Sequence, residues 1–293
     1  ASVKQYLPLD IDSNIETQVK NVHFTWQSKD DIIAELSGDS PFLIINRERL
    51  ENRLINKAFK FGTQMITSIN IENLFKKDNF WVINCTNNLT FKSKFLVIAD
   101  GSESKWSTRL KLGPRNPKYA NTVALRLQGL GNIDKNSVRF DFGSIKYGFA
   151  WAFPLKEAIN IGIGTFIGNY KLDSKLLQEK ITNTFGFTDV IAAPIYKRLR
   201  VWNGFHKLHG DRSLVIGDAA SLCDPFLAEG IRPCLISSYY AYKFIDQCLS
   251  NDKNDLSEYS KKIKKEWSTS MVWGQRIAEV FYRFPKTGYN LGI

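Results

Sequence analysis

Residues 213–231 read SLVIGDAASLCDPFLAEGI. Leu214–Val215–Ile216 is a short apolar run of the kind that forms a buried strand. It stops at Gly217-Asp218, passes into a loop containing Pro225, and reaches Glu229-Gly230, where a long helical pattern opens. An ionised Asp218 offers only acceptors, which suits sugar-type hydroxyls. Gly230 and Ile231 stand where a helix leaves backbone N–H groups free at its positive end, which suits developing negative charge. Gly-Asp alone is ordinary turn chemistry; the order strand, turn, acid, loop, helix start is what singles the stretch out.

Two upstream segments share its logic. Asn46 caps a helix expected to run to about Phe61, with Leu50, Leu54, Ile55, Ala58 and Phe61 at helical spacing and Gly62 as its stop. Arg47 leads that helix, placed either as part of a solvated charged turn with Glu48 and Glu51 or to reach a phosphate. Four strand-like runs follow, at Met65–Leu74, Phe80–Cys85, Leu89–Phe91 and Phe95–Ala99. Their alternation and the Asn87-Asn88 turn predict a small antiparallel meander. It ends at Asp100-Gly101, with Ser104 and Arg109 beyond.

Between about 115 and 208 the sequence is strand-rich, interrupted by one helical stretch at Leu172–Phe185. It predicts an open antiparallel sheet with one face available to a ligand. Tyr147, Phe149, Trp151 and Phe153 alternate along one run, so they share one strand face. Core packing accounts for any single ring; four in a row before Pro154 also suit a pocket for a long apolar or planar molecule. Gly162-Ile163-Gly164 lies in an apolar run with no helix after it, so it reads as a strand in close contact with another backbone and not as a phosphate loop. Beyond 231 two helices are expected, to Leu249 and then to about Phe284. The second carries Lys261, Lys262, Lys264 and Lys265 on its polar face, either solvated or set against an anionic membrane.

Taken together, Gly217-Asp218-Ala219-Ala220, Asp224-Pro225 and Glu229-Gly230-Ile231 resemble the second flavin-contacting motif of the p-hydroxybenzoate-hydroxylase-like flavoproteins. The variant DPFLAEGIRP and the run Tyr147-Gly148-Phe149-Ala150-Trp151-Ala152-Phe153-Pro154 are similar to the geranylgeranyl reductase branch. Asp100-Gly101 and Arg47 match two further motifs of that group. Two departures stand out: Arg109 arrives two positions later than the family spacing, and Ala228 occupies a place where the family usually has Gly.

The resemblance implies an α+β / α/β fold, with an incomplete FAD-binding domain and an antiparallel-sheet substrate domain. The expected division is 1–45 as connecting strands of the substrate part, 46–112 and 209–250 as FAD-binding parts, 113–208 as the substrate sheet and 251–293 as a C-terminal helical region. The family's glycine-rich GxGxxG unit is expected upstream of Ala1, so the chain reads as a fragment. FAD would be held by Arg47, Asp100, Gly101, Gly217, Asp218, Pro225, Gly230 and Ile231. Tyr147, Trp151 and Phe153 would line a prenyl pocket, and NAD(P)H would be the reductant. The implied activity is reduction of isoprenoid C=C bonds, with no proton donor named. An aromatic monooxygenase or halogenase on the same scaffold, and a non-catalytic lipid- or partner-binding module, remain as alternatives.

Composition agrees with a folded enzyme-sized chain. At 293 residues it can bury a sizeable core. No apolar stretch is long enough to predict a membrane span. Four cysteines without CxxC spacing argue against zinc and against a disulfide framework, which fits a cytoplasmic protein. The formal net charge of +11 favours an anionic substrate or a membrane surface. No nucleic-acid-binding signature accompanies it, so nucleic acid is not an expected partner. His206 and His209 sit near no carboxylate but Asp211, and no metal site is expected.

Overall fold

The computed structural model describes residues 3–36, 42–167, 172–187 and 193–291. The chain begins with β1 (Ile15–Val19), β2 (Asn21–Trp26), β3 (Lys29–Glu35), β4 (Phe42–Ile45) and α1 (Arg47–Lys60). It continues through β5 (Ile71–Lys77), β6 (Phe80–Cys85), β7 (Thr90–Ser93), β8 (Leu96–Ile98) and α2 (Lys105–Arg109). The middle holds β9 (Lys118–Gln128), β10 (Ser137–Phe142), β11 (Gly148–Pro154), β12 (Ala158–Thr165), α3 (Ser174–Phe185) and β13 (Ile195–Val201). The last part is β14 (His209–Gly210), β15 (Ser213–Val215), α4 (Ile231–Ser250), α5 (Ser257–Arg283) and α6 (Pro285–Leu291).

Seven strands form the largest sheet, in the order β13-β9-β12-β11-β10-β2-β3. All its pairings are antiparallel except β10 with β2, which run parallel. Period-2 alternation gives this sheet two chemically different faces. Ile159, Ile161 and Ile163 of β12 and Ala150 and Ala152 of β11 join Leu177, Ile181 and Phe185 of α3 in an aliphatic layer. The alternate positions, Phe140, Phe142 and Phe149, face Ala278, Tyr282 and Tyr289 in an aromatic layer. Complete burial of a side chain such as Ile161 contributes about 1.5–3 kcal/mol relative to leaving it in water.

The glycines of β12 belong to this aromatic side. A Cβ on Gly162 would lie 2.2 Å from the Trp151 ring, so the indole crosses the strand where there is no side chain. Trp151 Nε1 donates to Asn160 Oδ1 at 2.9 Å, fixing the ring there. A Cβ on Gly148 would meet the Gly164 carbonyl at 1.7 Å, which is a close backbone approach. The run therefore accommodates both a neighbouring backbone and a neighbouring ring.

The expected meander needs one correction. β5, β6 and β7 form an antiparallel three-stranded sheet, but Met65–Asn70 lies outside any strand. Asn87 and Asn88, both at positive φ, lie between β6 and β7. β8 does not join them: it pairs in parallel with β15, Ile98 opposite Val215, while β14 flanks β15. Apolar alternation alone does not reveal to which neighbour a three-residue strand bonds. Beneath this small sheet, α4 and α5 pack through Ile236, Tyr259, Ile263, Trp267 and Met271.

α1 starts as its cap predicts, Asn46 Oδ1 accepting from the Arg49 N–H at 2.9 Å. Its expected apolar face is not buried: only Leu50 is in the core, and Phe61 is 81 % exposed. No helix among the described residues is long and apolar enough to cross a membrane. The four cysteines are free thiols.

Candidate functional site

Ligands of open parallel sheets gather at the carboxyl ends of the strands. Here the parallel pairing of β8 with β15 sends Asp100-Gly101 and Gly217-Asp218 out of the same end, side by side, with the Ile216 N–H donating to the Ile98 carbonyl at 3.1 Å. Both glycines stand at positive φ, 79° for Gly101 and 56° for Gly217, where a side chain would be strained. Residues 217–220 then form one turn of 3-10 helix. The Gly217 N–H donates to Ser237 Oγ at 3.0 Å, which ties the turn to α4.

Asp218 is the central acid. Burial pushes its carboxyl above the usual range, and the Arg47 guanidinium pulls it part of the way back. Arg47 itself is largely exposed and pairs with Glu51 at 2.6 Å. Gly230 approaches from the other side, so close that a Cβ there would sit 3.0 Å from Asp218 Oδ1 and 3.7 Å from Cys223 Sγ. Cys223 is buried, and its thiol is pushed well up by burial and then by Asp218, Asp224 and Glu229. A thiol held neutral among carboxylates is a poor nucleophile. Cys234 is an exposed thiol whose Sγ lies 3.3 Å from where Gly217 would carry a Cβ.

The loop from 224 to 230 is shaped by Asp224, whose Oδ1 accepts from the N–H groups of Phe226 at 2.9 Å and Leu227 at 2.7 Å. Ala228 is forced to φ 57°, the left-handed conformation that glycine accepts most readily. This is the position where the family usually carries glycine. At the start of α4 one expected free amide is taken: Glu229 folds back and accepts from the Arg232 N–H at 2.8 Å. The Ile231 N–H also helps to hold the Glu229 carboxylate. A carboxylate next to a helix N-terminus finds the same partial positive charge that a ligand would. Glu229 still titrates high, because the surrounding protein outweighs these donors.

Asp100 is exposed and stabilises the charge on Arg200 of β13. Arg200 is fully buried; Nη1 donates to Ser107 Oγ at 2.8 Å, and Nε and Nη2 have no partner among the described residues. Burial lowers its pKa from the usual value. Ser104 caps α2, accepting from the Ser107 N–H at 3.1 Å. Arg109, the arginine displaced from the family spacing, lays its guanidinium over the Trp106 ring at 4.9 Å.

A cavity of about 1250 Å³ adjoins these loops, between the β9–β13 edge of the large sheet and α5. Its walls are aromatic, with Tyr119, Phe166, Tyr196, Trp202 and Tyr282, and Pro225 joins it to the 224–230 loop. Lys118, Arg198 and Arg283 supply positive charge around it, and Glu103 reaches it from the Asp-Gly loop. Phe166 and Tyr282 stack with centroids 4.8 Å apart and planes within 5°. Tyr282 donates its hydroxyl to the Phe226 carbonyl, which pins the wall to the loop.

Tyr147, Trp151 and Phe153 are half-buried and do not line this cavity; Trp151 lies against Phe149 and Phe153 within its own strand. Tyr147 precedes the strand at φ 59°, with the Lys146 ammonium 5.1 Å from its ring centroid. Phe153 packs against Phe42 and Phe140, and Phe149 stacks on Phe166 at 5.3 Å. The row thus backs the wall that Phe166 and Tyr282 present. Sequence reasoning missed those two wall residues; Tyr282 had a signal, one turn beyond Ala278 on the buried side of α5.

His206 and His209 are each held by one neighbour, His206 Nε2 by Asn203 Oδ1 at 3.2 Å and His209 Nδ1 by Ser260 Oγ at 2.7 Å.

No protein-family model matches the chain. It is similar to digeranylgeranylglycerophospholipid reductases, 24 % identical over 254 residues to that of Methanococcus vannielii and 27 % over 289 residues to that of Methanocella arvoryzae. These alignments cover 80 % and 90 % of this chain but 62 % and 71 % of the relatives, so the chain spans roughly two thirds of their length. Among solved structures it resembles a geranylgeranyl bacteriochlorophyll reductase-like protein from Thermoplasma acidophilum, with TM-score 0.82, 20 % identity and 96 % of this chain and 76 % of that one covered. A halogenase in complex with FAD follows at TM-score 0.72 and 15 % identity, covering 92 % of this chain and 60 % of that one. At these identities the structural likeness speaks for the fold.

Proposed function

We propose that this chain belongs with the geranylgeranyl reductase family of flavoproteins and serves as a FAD-dependent reductase of isoprenoid C=C bonds. The observation that carries the reading is the convergence of Asp100-Gly101, Gly217-Asp218 and Gly230 at one strand end, opening through Pro225 onto an aromatic cavity. The cradle suits a flat, polyhydroxylated cofactor: two glycines adopt positive φ, and the missing side chain of Gly230 leaves room beside a carboxylate.

In this reading Asp218 accepts hydrogen bonds from the ribityl hydroxyls, Arg47 faces phosphate, and Asp100 and Gly101 border the nucleotide side. Bound FAD would supply the hydride, drawn from NAD(P)H, that no side chain of the chain offers. Phe166, Tyr119 and Tyr282 shape the space for an apolar chain and exclude water from the double bond. The positive residues Lys118, Arg198 and Arg283 suit a phosphate-bearing headgroup. The digeranylgeranylglycerophospholipid named for the relatives has both parts, and it is the proposed substrate class.

The test uses the full-length protein, purified with its flavin and given NADPH and a geranylgeranyl phospholipid under anaerobic conditions. Mass spectrometry is expected to show two added hydrogens per double bond. Oxygen-dependent NADPH consumption on an aromatic substrate, with no saturation of the prenyl chain, would overturn the reading in favour of a monooxygenase or halogenase.

A further inference from the structure

The C-terminal half of α5 carries a surface that the cavity does not use. Met271, Ala278 and Tyr282 point into the protein, and Gln275 and Glu279 look into the cavity. On the outer side Trp273 is 56 %, Ile277 50 %, Val280 62 % and Phe284 64 % exposed. Their spacing of four, three and four residues places them in one stripe along the helix. Scattered exposed apolar residues need no explanation, but a continuous stripe of large ones marks a contact surface.

The residues beside the stripe indicate what it touches. Arg276, Arg283 and Lys286 are exposed, and Arg276 places its guanidinium 5.5 Å from the centroid of the Trp273 ring. The one acid between 273 and 287 is Glu279, which lies near Arg283 and meets Lys118 at 3.2 Å. The stripe is thus apolar in the middle, edged with positive charge and has a tryptophan at one end. That is the make-up of a helix lying in the interface of an anionic membrane. The lysine run earlier in α5 is a weaker contact surface, since Lys261 is paired with Glu258 and Lys262 with Glu266.

We propose that the Trp273–Ile277–Val280–Phe284 face of α5 docks on an anionic lipid bilayer. Docked this way, Arg283, which also borders the cavity, stands at the lipid surface, and the cavity lies alongside the headgroups. Docking on lipid does not depend on the reductase activity: binding to vesicles and saturation of a detergent-dispersed substrate are separate measurements.

The full-length protein is floated through a density gradient with vesicles of phosphatidylcholine and phosphatidylglycerol, and with vesicles of phosphatidylcholine alone. Binding is expected to the first and to fall with added salt. The double variant Trp273→Ser/Val280→Ser is expected to lower vesicle binding at least tenfold. Arg276→Glu/Arg283→Glu should remove the preference for the anionic lipid. All four side chains are exposed, and an unchanged thermal melt checks that each variant is folded. If Trp273→Ser/Val280→Ser misfolds, the arginine variant and the salt dependence of the unaltered protein carry the test. Wild-type protein that stays at the bottom of both gradients overturns the proposal. So does a dimer seen by light scattering that the serine variant dissociates, because the stripe is then a contact between copies.

Discussion

Asp218 and Gly230 define each other: the carboxylate oxygen of the first stands 3.0 Å from where the second would carry a methyl group. An alanine at 230 therefore has to push the acid aside or move the start of α4. Gly230→Ala is expected to leave the protein folded and to weaken flavin binding about tenfold, or roughly 1.4 kcal/mol. Fluorescence titration of the apoprotein with FAD measures it, and an unchanged affinity would separate Asp218 from the cofactor.

Asp218→Asn should separate stability from binding. Burial raises the Asp218 carboxyl in the folded state, so the folded protein holds a proton that the unfolded chain gives up. Stability from this group is greatest at low pH and falls as pH climbs from the ordinary carboxylate range through the raised value. Asparagine removes that loss. The apoprotein variant is expected to melt about 2 °C higher at neutral pH, corresponding to on the order of 1 kcal/mol, and to lose flavin affinity. Glu229 is raised in the same direction, so combining Asp218→Asn with Glu229→Gln should flatten the decline further. Melts of the apoproteins from pH 4 to pH 8, a range chosen as roughly spanning the carboxylates, check the slope.

Ala228→Gly should stabilise the loop. At φ 57° alanine pays a steric penalty that glycine does not, partly offset by glycine's larger entropy in the unfolded chain. A gain of about 0.5–1 kcal/mol is expected. Urea denaturation tests it, and a loss of stability would mean the Ala228 methyl makes packing contacts worth more than the strain.

Gly162→Ala acts on the aromatic layer. The added methyl falls 2.2 Å from the Trp151 ring, so the indole must leave its place and its bond to Asn160. Overpacking of this kind costs about 1–3 kcal/mol. Lowered thermal stability with a changed near-ultraviolet tryptophan signal is the expected outcome.

Ser107→Ala removes the hydroxyl that Arg200 donates to, leaving a fully buried guanidinium without a partner among the described residues. A cost of about 2 kcal/mol follows from an unsatisfied buried charge. Replacing Arg200 by Met in the same background should recover much of that loss, because the charge goes with it.

Much of this was legible in the sequence because it is local. The helix start at Asn46, the Gly-Asp turn and the helices carrying Ile236, Ile263 and Trp267 follow from capping, turn chemistry and period. The mixed α and β architecture and the similarity to the reductases followed from the order of short motifs. What escaped was long-range or a matter of side-chain competition. Nothing within Phe95–Ala99 says that β8 will leave the meander for β15. Nothing near Ile231 says that Glu229 will turn back to accept from the Arg232 amide in the first turn of α4. The alternation of Phe149, Trp151 and Phe153 correctly put them on one face, but it does not reveal that Phe149 packs against Phe140 and Phe142 of β10 and Tyr282 of α5. The cavity walls come from Tyr119, Phe166 and Tyr282, which lie far apart in the chain and form no run.

The pairing of β8 with β15 also dictates when the site can exist. The strand bearing Asp100 and the strand bearing Asp218 flank most of the seven-stranded sheet in sequence, so the chain between them must close as one long loop before they meet. Such closure costs entropy that local contacts do not repay, which makes it slow and late. During synthesis a nascent chain that has emerged only as far as β13 holds Arg47 and Asp100 and no Asp218 to complete them. A protease that cuts between β13 and β15 before that moment therefore leaves Asp100 and Asp218 on separate pieces.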